Sequence, residues 1–460
     1  MKRIRPILVF VCLFLFLFQP VHTQVGARTQ VGAHTQVGAS ALTGASAQDN
    51  SPLVLVMNVD SPIFPNIRQY IERGIKVAEQ RDAEVLVIQL DTPGGDLLST
   101  FDIMQAIRTS RVPVVIYVAP RGGAAFSAGA IITLAGHAAA MAPETAIGAA
   151  SPVSSTGEDL GETIKAKEIE GIKAQLRELV ERRGQKAAKL ANEMVDNARA
   201  VSASEALDVG LVDFIAEDVD DLLGQLDGFS VEMPDGERVL HTKDASVESL
   251  PMTILEQLLN MLTNPNIIIL LTTIGVQAVL IEISSPGGWV AGFIGVICLA
   301  LAAYGYGILP VNWFGIIFFI LAFVLFILDI KAPTHGALTA AGIGSFIVGA
   351  MMLFNTPVTP PYLHVSVPLV VIIGIFTGTI FAVILGFVIR AWKTPIRTGR
   401  ESLIRQVGRA KTAIAPHGQV QVSSELWTAE LAEGQEPIRK GEQVEVVEVD
   451  GLRLKVQKKR

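Results

Sequence analysis

The chain has 460 residues, half of them hydrophobic, with a mean hydropathy of +0.45. At ~150 residues per domain that allows about three domains, and the composition excludes a wholly soluble chain. A net charge of -7 gives no basic surplus for nucleic-acid phosphates. Cys12 and Cys298 both lie in apolar runs, which excludes a disulfide framework or cysteine zinc site in a soluble domain.

Lys2, Arg3 and Arg5 precede the apolar run Ile7–Phe18, the charged and hydrophobic regions of a secretory signal assigned to residues 1–22. The nearest A-x-A site, Ala45-Ser46-Ala47, is distant, so an uncleaved anchor is the alternative, and in either case the chain beyond the signal is exported. In residues 23–50 the motif Thr-Gln-Val-Gly-Ala begins at Thr23, Thr29 and Thr35, too short and polar a repeat for a solenoid, and the segment reads as a flexible tether. The runs Leu53–Val59, Val85–Leu90 and Val114–Val118 suit parallel strands buried on both faces, and Pro65–Arg81 and Asp96–Thr109 have helical spacing. They predict a βαβ series ending near Asp227, within an α/β domain of residues 51–250.

Residues 251–389 form an expected all-α membrane domain, because residues 266–389 carry only Glu282, Asp329 and Lys331 among Lys, Arg, Asp and Glu. Turn-forming punctuation divides it into five spans near 266–283, 289–309, 313–330, 337–353 and 367–389, with Trp289, Trp313 and Trp392 at span ends as interfacial anchors. Glu282 and Asp329 fall at span ends, which favours interfacial placement over a proton relay. Arg390, Lys393, Arg397 and Arg400, in a basic linker of residues 390–406, put the C-terminus in the cytoplasm and the N-terminal domain outside. Residues 407–460 alternate like short strands, with Asp450-Gly451 turning between Gln443–Val449 and Leu452–Val456, and predict a small all-β barrel. Trp427 is its sole aromatic platform, so it reads as a protein-interaction module without nucleic-acid binding.

Two loops carry candidate chemistry. In Asp91-Thr92-Pro93-Gly94-Gly95-Asp96 a strand ends in paired glycines before a helix, where backbone N–H groups can converge on a developing negative charge. One strand–helix unit later, Gly122 to Ala130 is a run of small residues in which Ser127 stands at a helix start. Either alone suits a turn or a helix cap. Together they suggest a nucleophile, Ser127, and an oxyanion hole assigned to Gly94, Gly95 and Ala128.

The run Leu90-Asp91-Thr92-Pro93-Gly94-Gly95, the Ser127-Ala128-Gly129 element, Met141-Ala142-Pro143 with Ile147-Gly148-Ala149, the multispan block and the terminal barrel together resemble a long-form NfeD protein. The resemblance implies a ClpP/crotonase-like fold, a Ser-Lys dyad serine protease acting on membrane proteins or hydrophobic peptides, an OB-fold barrel and a stomatin-like SPFH partner. The bilayer and a homo-oligomer complete the expected assembly, and no cofactor or metal is expected. A dyad base needs a lysine whose pKa is lowered by burial. On the helix over residues 164–183, Lys173 falls at the edge of the stripe formed by Ile169, Ile172, Leu176, Leu179 and Val180, and Lys167 points the opposite way. Aligning Glu181-Arg182-Arg183-Gly184 places Arg177 where family members can carry the dyad lysine, and arginine stays protonated. Lys173, Lys167 or loss of the dyad are the alternatives, the last pointing to a membrane scaffold for SPFH partners. His137 reads as structural and Asp91 as a turn stabiliser. An acyl-CoA enzyme on the same fold conflicts with export.

Overall fold

A computed structural model describes residues 51–152, 162–284, 289–332, 334, 336–355, 360–392 and 403–459. The signal, the tether and most of the basic linker lie outside the described residues. The first domain runs β1 (Leu53–Val59), α1 (Pro65–Gln80), β2 (Val85–Leu90), α2 (Leu97–Arg108), β3 (Val114–Val118), β4 (Ala124–Phe126), α3 (Ala128–Ala135), β5 (Ala138–Met141) and β6 (Ala146–Gly148). It continues through α4 (Glu162–Glu181), α5 (Gln185–Asp196), β7 (Ala200–Ser202), α6 (Ala203–Asp208), β8 (Phe214–Ile215), α7 (Val219–Leu226), β9 (Ser230–Met233), β10 (Gly236–Val239) and β11 (Ser246–Ser249).

Six strands pair in parallel in the order β11-β1-β2-β3-β5-β8. Parallel strands joined by crossover helices are covered on both faces, so both sets of alternating side chains must be apolar. In β2, Leu86, Ile88 and Leu90 enter a cluster with Ile67 and Ile71 of α1 and Ile103 and Ile107 of α2. Val85 and Val87 face the other way, into a cluster with Leu222, Leu223 and Leu226 of α7. Each such side chain stabilises the fold by ~1.5–3 kcal/mol on burial, which is why the interior strands read as continuous apolar runs. The edge strand β11, Ser-Val-Glu-Ser, is exposed and lacks that signature, so the sheet extends beyond the series expected to close near Asp227. A second layer, β4-β6-β7, stands at the C-terminal end of the main sheet's strands and carries the Ser127 turn.

After α8 (Ile254–Met261) come five apolar helices: α9 (Pro265–Ser284), α10 (Val290–Ile308), α11 (Trp313–Lys331), α12 (Ala337–Phe354) and α13 (Val367–Trp392). Four of them, α9, α10, α12 and α13, are long and apolar enough to cross a membrane, with the apolar α11 beside them. Their contacts run in opposite chain directions, Gly275 against Gly295 and Ile268 against Gly305, Gly315 against Gly349 and Phe326 against Gly342. Two antiparallel hairpins packed through small residues result, as expected where lipid removes the hydrophobic drive between helices. Asp329 stands in the last turn of α11, at the end of its span. It is buried, and its carboxylate accepts from Thr339 N (3.2 Å), Thr339 Oγ1 (2.5 Å) and the Thr334 hydroxyl. A carboxylate at the first turn of α12 satisfies amides that the helix leaves open, so Asp329 caps its neighbour. Glu282 does the same for α10, accepting from Trp289 N at 2.9 Å.

The last five strands, β12 (Val407–Ala410), β13 (His417–Val422), β14 (Glu425–Leu431), β15 (Gln443–Asp450) and β16 (Arg453–Lys458), close into a barrel ordered β12-β13-β14-β16-β15. Alternate residues such as Val420, Val422, Val444, Val446, Leu454 and Val456 fill its interior.

Candidate active site around Ser127

The loop after β2 is pinned from two sides. Thr92 N donates to Ala124 O (2.7 Å) and Phe126 N to Thr92 O (3.0 Å), which draws this loop onto β4. From the opposite side Ile63 N donates to Gly94 O (2.8 Å) and Asp96 N to Ile63 O (2.9 Å). Gly95 is needed because a Cβ there would lie 2.0 Å from Ile63 O. Gly94 has φ +121°, and a Cβ on it would stand 2.9 Å from Ser127 Cβ and 3.4 Å from Ser127 Oγ. The paired glycines therefore abut the serine.

Ser127 has φ +53° and ψ -111° at the turn from β4 into α3. A non-glycine residue held there is strained by ~1–3 kcal/mol. Its amide donates to Gly148 O at 2.8 Å, which ties the turn to β6. The hydroxyl does not cap α3 although Ser127 occupies the cap position. Among the described residues, Ser127 Oγ and the amides of Gly95 and Ala128 have no hydrogen-bond partner. The Gly94 amide meets Thr92 Oγ1 at 3.2 Å. A half-buried free hydroxyl beside unsatisfied N–H groups is suited to nucleophilic attack with an anionic intermediate.

Lys173 lies on α4 at the edge of the stripe formed by Ile172, Leu176, Leu179 and Val180. Its Nζ is 2.6 Å from Asp196 Oδ1 and 3.4 Å from Glu170 Oε1. The hydrogen bond to Asp196 raises the Lys173 pKa above its ordinary 10.5, the opposite of the lowering a neutral base needs. Lys167 and Arg177 are exposed. His137 is buried and its Nδ1 accepts from Val114 N (3.0 Å). Burial, with Arg182 nearby, pushes its pKa down to about 4. The ring is thus a neutral acceptor at the start of β5. Asp91 Oδ1 accepts from Ala124 N at 2.9 Å and holds the two loops in register.

Three contributors escaped the sequence reading. Thr92, whose hydroxyl bridges Gly94 N and O at 3.2 Å each, sits inside the Gly-Gly motif and could have been found there. Gly148 lies in the Ile147-Gly148-Ala149 run, whereas nothing local to Ile63 signals its role.

The Ser127 turn thus stands on an α/β domain built around a six-stranded parallel sheet. Comparisons with known proteins agree with the architecture. Residues 53–233 match the NfeD1b N-terminal domain, residues 266–387 the NfeD integral membrane domain, and residues 400–458 the NfeD-like C-terminal, partner-binding domain. The membrane-bound protease PH1510 of Pyrococcus horikoshii is 34% identical over 416 residues, 89% of this chain and 94% of that protein. Membrane protein NfeD1b of Bacillus subtilis is 26% identical over 436 residues, with the same coverage of 89% and 94%. The solved structure of the 1510-N membrane protease specific for a stomatin homolog, from P. horikoshii, is 30% identical with a TM-score of 0.40, covering 46% of this chain and 99% of that one. The chain belongs to the NfeD family in its long form, a serine protease domain joined to a multipass membrane domain and a partner-binding barrel.

Proposed function

We propose that Ser127 is the nucleophile of an endopeptidase that cuts hydrophobic segments of membrane proteins. Ser127 Oγ attacks the scissile carbonyl, Gly95 and Ala128 N–H groups hold the resulting oxyanion together with the Gly94 turn, and the amine leaves with the proton a base took from the serine. Water then hydrolyses the acyl-enzyme and regenerates Ser127. Lys173 is the base assigned to that proton, and opening its pair with Asp196 is the activating step. The exported domain works outside the membrane, with the barrel in the cytoplasm engaging a stomatin-like SPFH partner. The partner-binding family of the barrel supports a protein partner there, and the stomatin class is the one the family resemblance implies.

The observation that carries this reading is the strained Ser127 turn, whose hydroxyl is left free at a helix start. The second reading, a catalytically weak scaffold for SPFH partners, draws support from the Lys173–Asp196 pair and the exposed Arg177. Treating the purified full-length chain with a fluorescent alkyl phosphonate separates the two. Covalent labelling that disappears in Ser127→Ala, with an unchanged melting profile, is expected for the protease; an unlabelled wild-type chain would select the scaffold.

A further inference from the structure

The short helix α8 joins the protease domain to the first span and presents two unlike sides. It opens on a capping box, with Thr253 N donating to Glu256 Oε2 (2.7 Å) and Glu256 N to Thr253 Oγ1 (3.3 Å). Glu256 also takes Arg73 Nε at 2.8 Å, and Asn260 Oδ1 accepts from Asn66 Nδ2 at 2.9 Å. Glu256 and Asn260 are one turn apart, so this side is latched to α1. Tyr70 Oη donating to Leu250 O (2.7 Å) and Arg73 to Pro251 O (2.9 Å) extend the latch to the preceding segment.

At ~100° per residue, Ile254, Leu255, Leu258 and Met261 fall on the side opposite that latch. They are 87%, 65%, 41% and 56% exposed and together form an apolar face along the helix. Only Leu262, Thr263 and Asn264 separate α8 from Pro265, where the first membrane helix begins. Phe64, which precedes α1, is buried in the apolar cluster containing Ile268 of α9, Leu309 after α10, and Leu363 and Val365 before α13. The helix that latches α8 is thereby set against that same end of the spanning bundle.

We propose that α8 lies in the lipid–water interface, with Ile254, Leu255, Leu258 and Met261 among the headgroups and upper acyl chains. The occupant is the bilayer rather than a protein, since the face continues directly into the first span and is held at the bundle's end. Such an interfacial helix holds by buried apolar area while its polar side stays out of lipid. Here the polar side is bonded to the protease domain, so α8 also fixes that domain's height above the bilayer. The assignment is independent of catalysis.

The test uses the full-length chain in liposomes, with Cys12→Ser and Cys298→Ser as background and an environment-sensitive fluorophore on Leu255→Cys or, as control, on Asp235→Cys in the exposed β9–β10 turn. Lipids spin-labelled near the headgroup should quench the label at 255 several-fold more than the label at 235. Equal quenching at the two positions would overturn the proposal. So would efficient disulfide formation between unlabelled Leu255→Cys copies in the same liposomes, together with weak quenching of the labelled protein, which would make the face an interface between copies.

Discussion

Ser127 illustrates how a single side chain is prepared by its neighbours' backbone. Strain of ~1–3 kcal/mol at its φ of +53° is sustained because Gly148, Thr92 and Ile63 fix the surrounding turns by hydrogen bonds. Gly94→Ala tests this directly, because its Cβ would meet both a φ of +121° and Ser127 Cβ at 2.9 Å. We expect loss of phosphonate labelling and destabilisation of ~1–3 kcal/mol in thermal melts. Labelling at the wild-type rate would show that the glycine's close approach is dispensable. His137 makes a separate prediction at low pH. Its folded pKa of about 4 lies below the unfolded ~6.5, so the unfolded chain binds the extra proton and stability falls as pH drops from about 6.5 towards 4. In His137→Asn, which keeps an acceptor for Val114 N and cannot titrate, the free energy of unfolding should fall less over that interval, the difference reaching ~3 kcal/mol at most. Parallel wild-type and variant curves would assign the acid sensitivity elsewhere.

Helices α4 and α5 decide the protonation of the one lysine on the apolar edge. The Lys173 pKa is raised, so the ion pair's contribution is complete below about 10.4 and is lost only as pH climbs through the higher folded value. Asp196→Asn removes the anion that holds the proton. Stability should change by only ~0.2–1 kcal/mol, as for a solvent-accessible pair. If Lys173 deprotonates Ser127, the alkaline rise in labelling rate should move to lower pH in this variant and vanish in Lys173→Arg. An identical pH profile in Asp196→Asn would remove Lys173 from the chemistry.

Across the whole molecule the charge asymmetry makes a prediction about sidedness. Arg390, Lys393, Arg397 and Arg400 come after the last span, and basic residues are retained on the cytoplasmic side. A reporter active only in the cytoplasm should work after Arg460 and fail after Leu250. Activity at Leu250 would reverse the orientation and move the Ser127 site inside the cell.

The amino-acid order alone determined what depends on local burial. Interior strands such as β2 and β3 are covered on both faces, so their apolar runs are unbroken, and the membrane helices are legible because lipid admits almost no charge. The Gly94-Gly95 and Ser127 motifs were visible for a similar reason, since small residues mark close approach wherever it occurs. Tertiary structure decided everything that rests on a distant partner. The exposed β11 becomes a sheet strand only by pairing with β1, and the buried Asp329 becomes a cap only when α12 folds back on α11. Lys173 shows the limit most clearly. Periodicity set its place on α4, but a pKa depends on the nearest charge, and Asp196 reaches it at 2.6 Å only once α5 packs alongside.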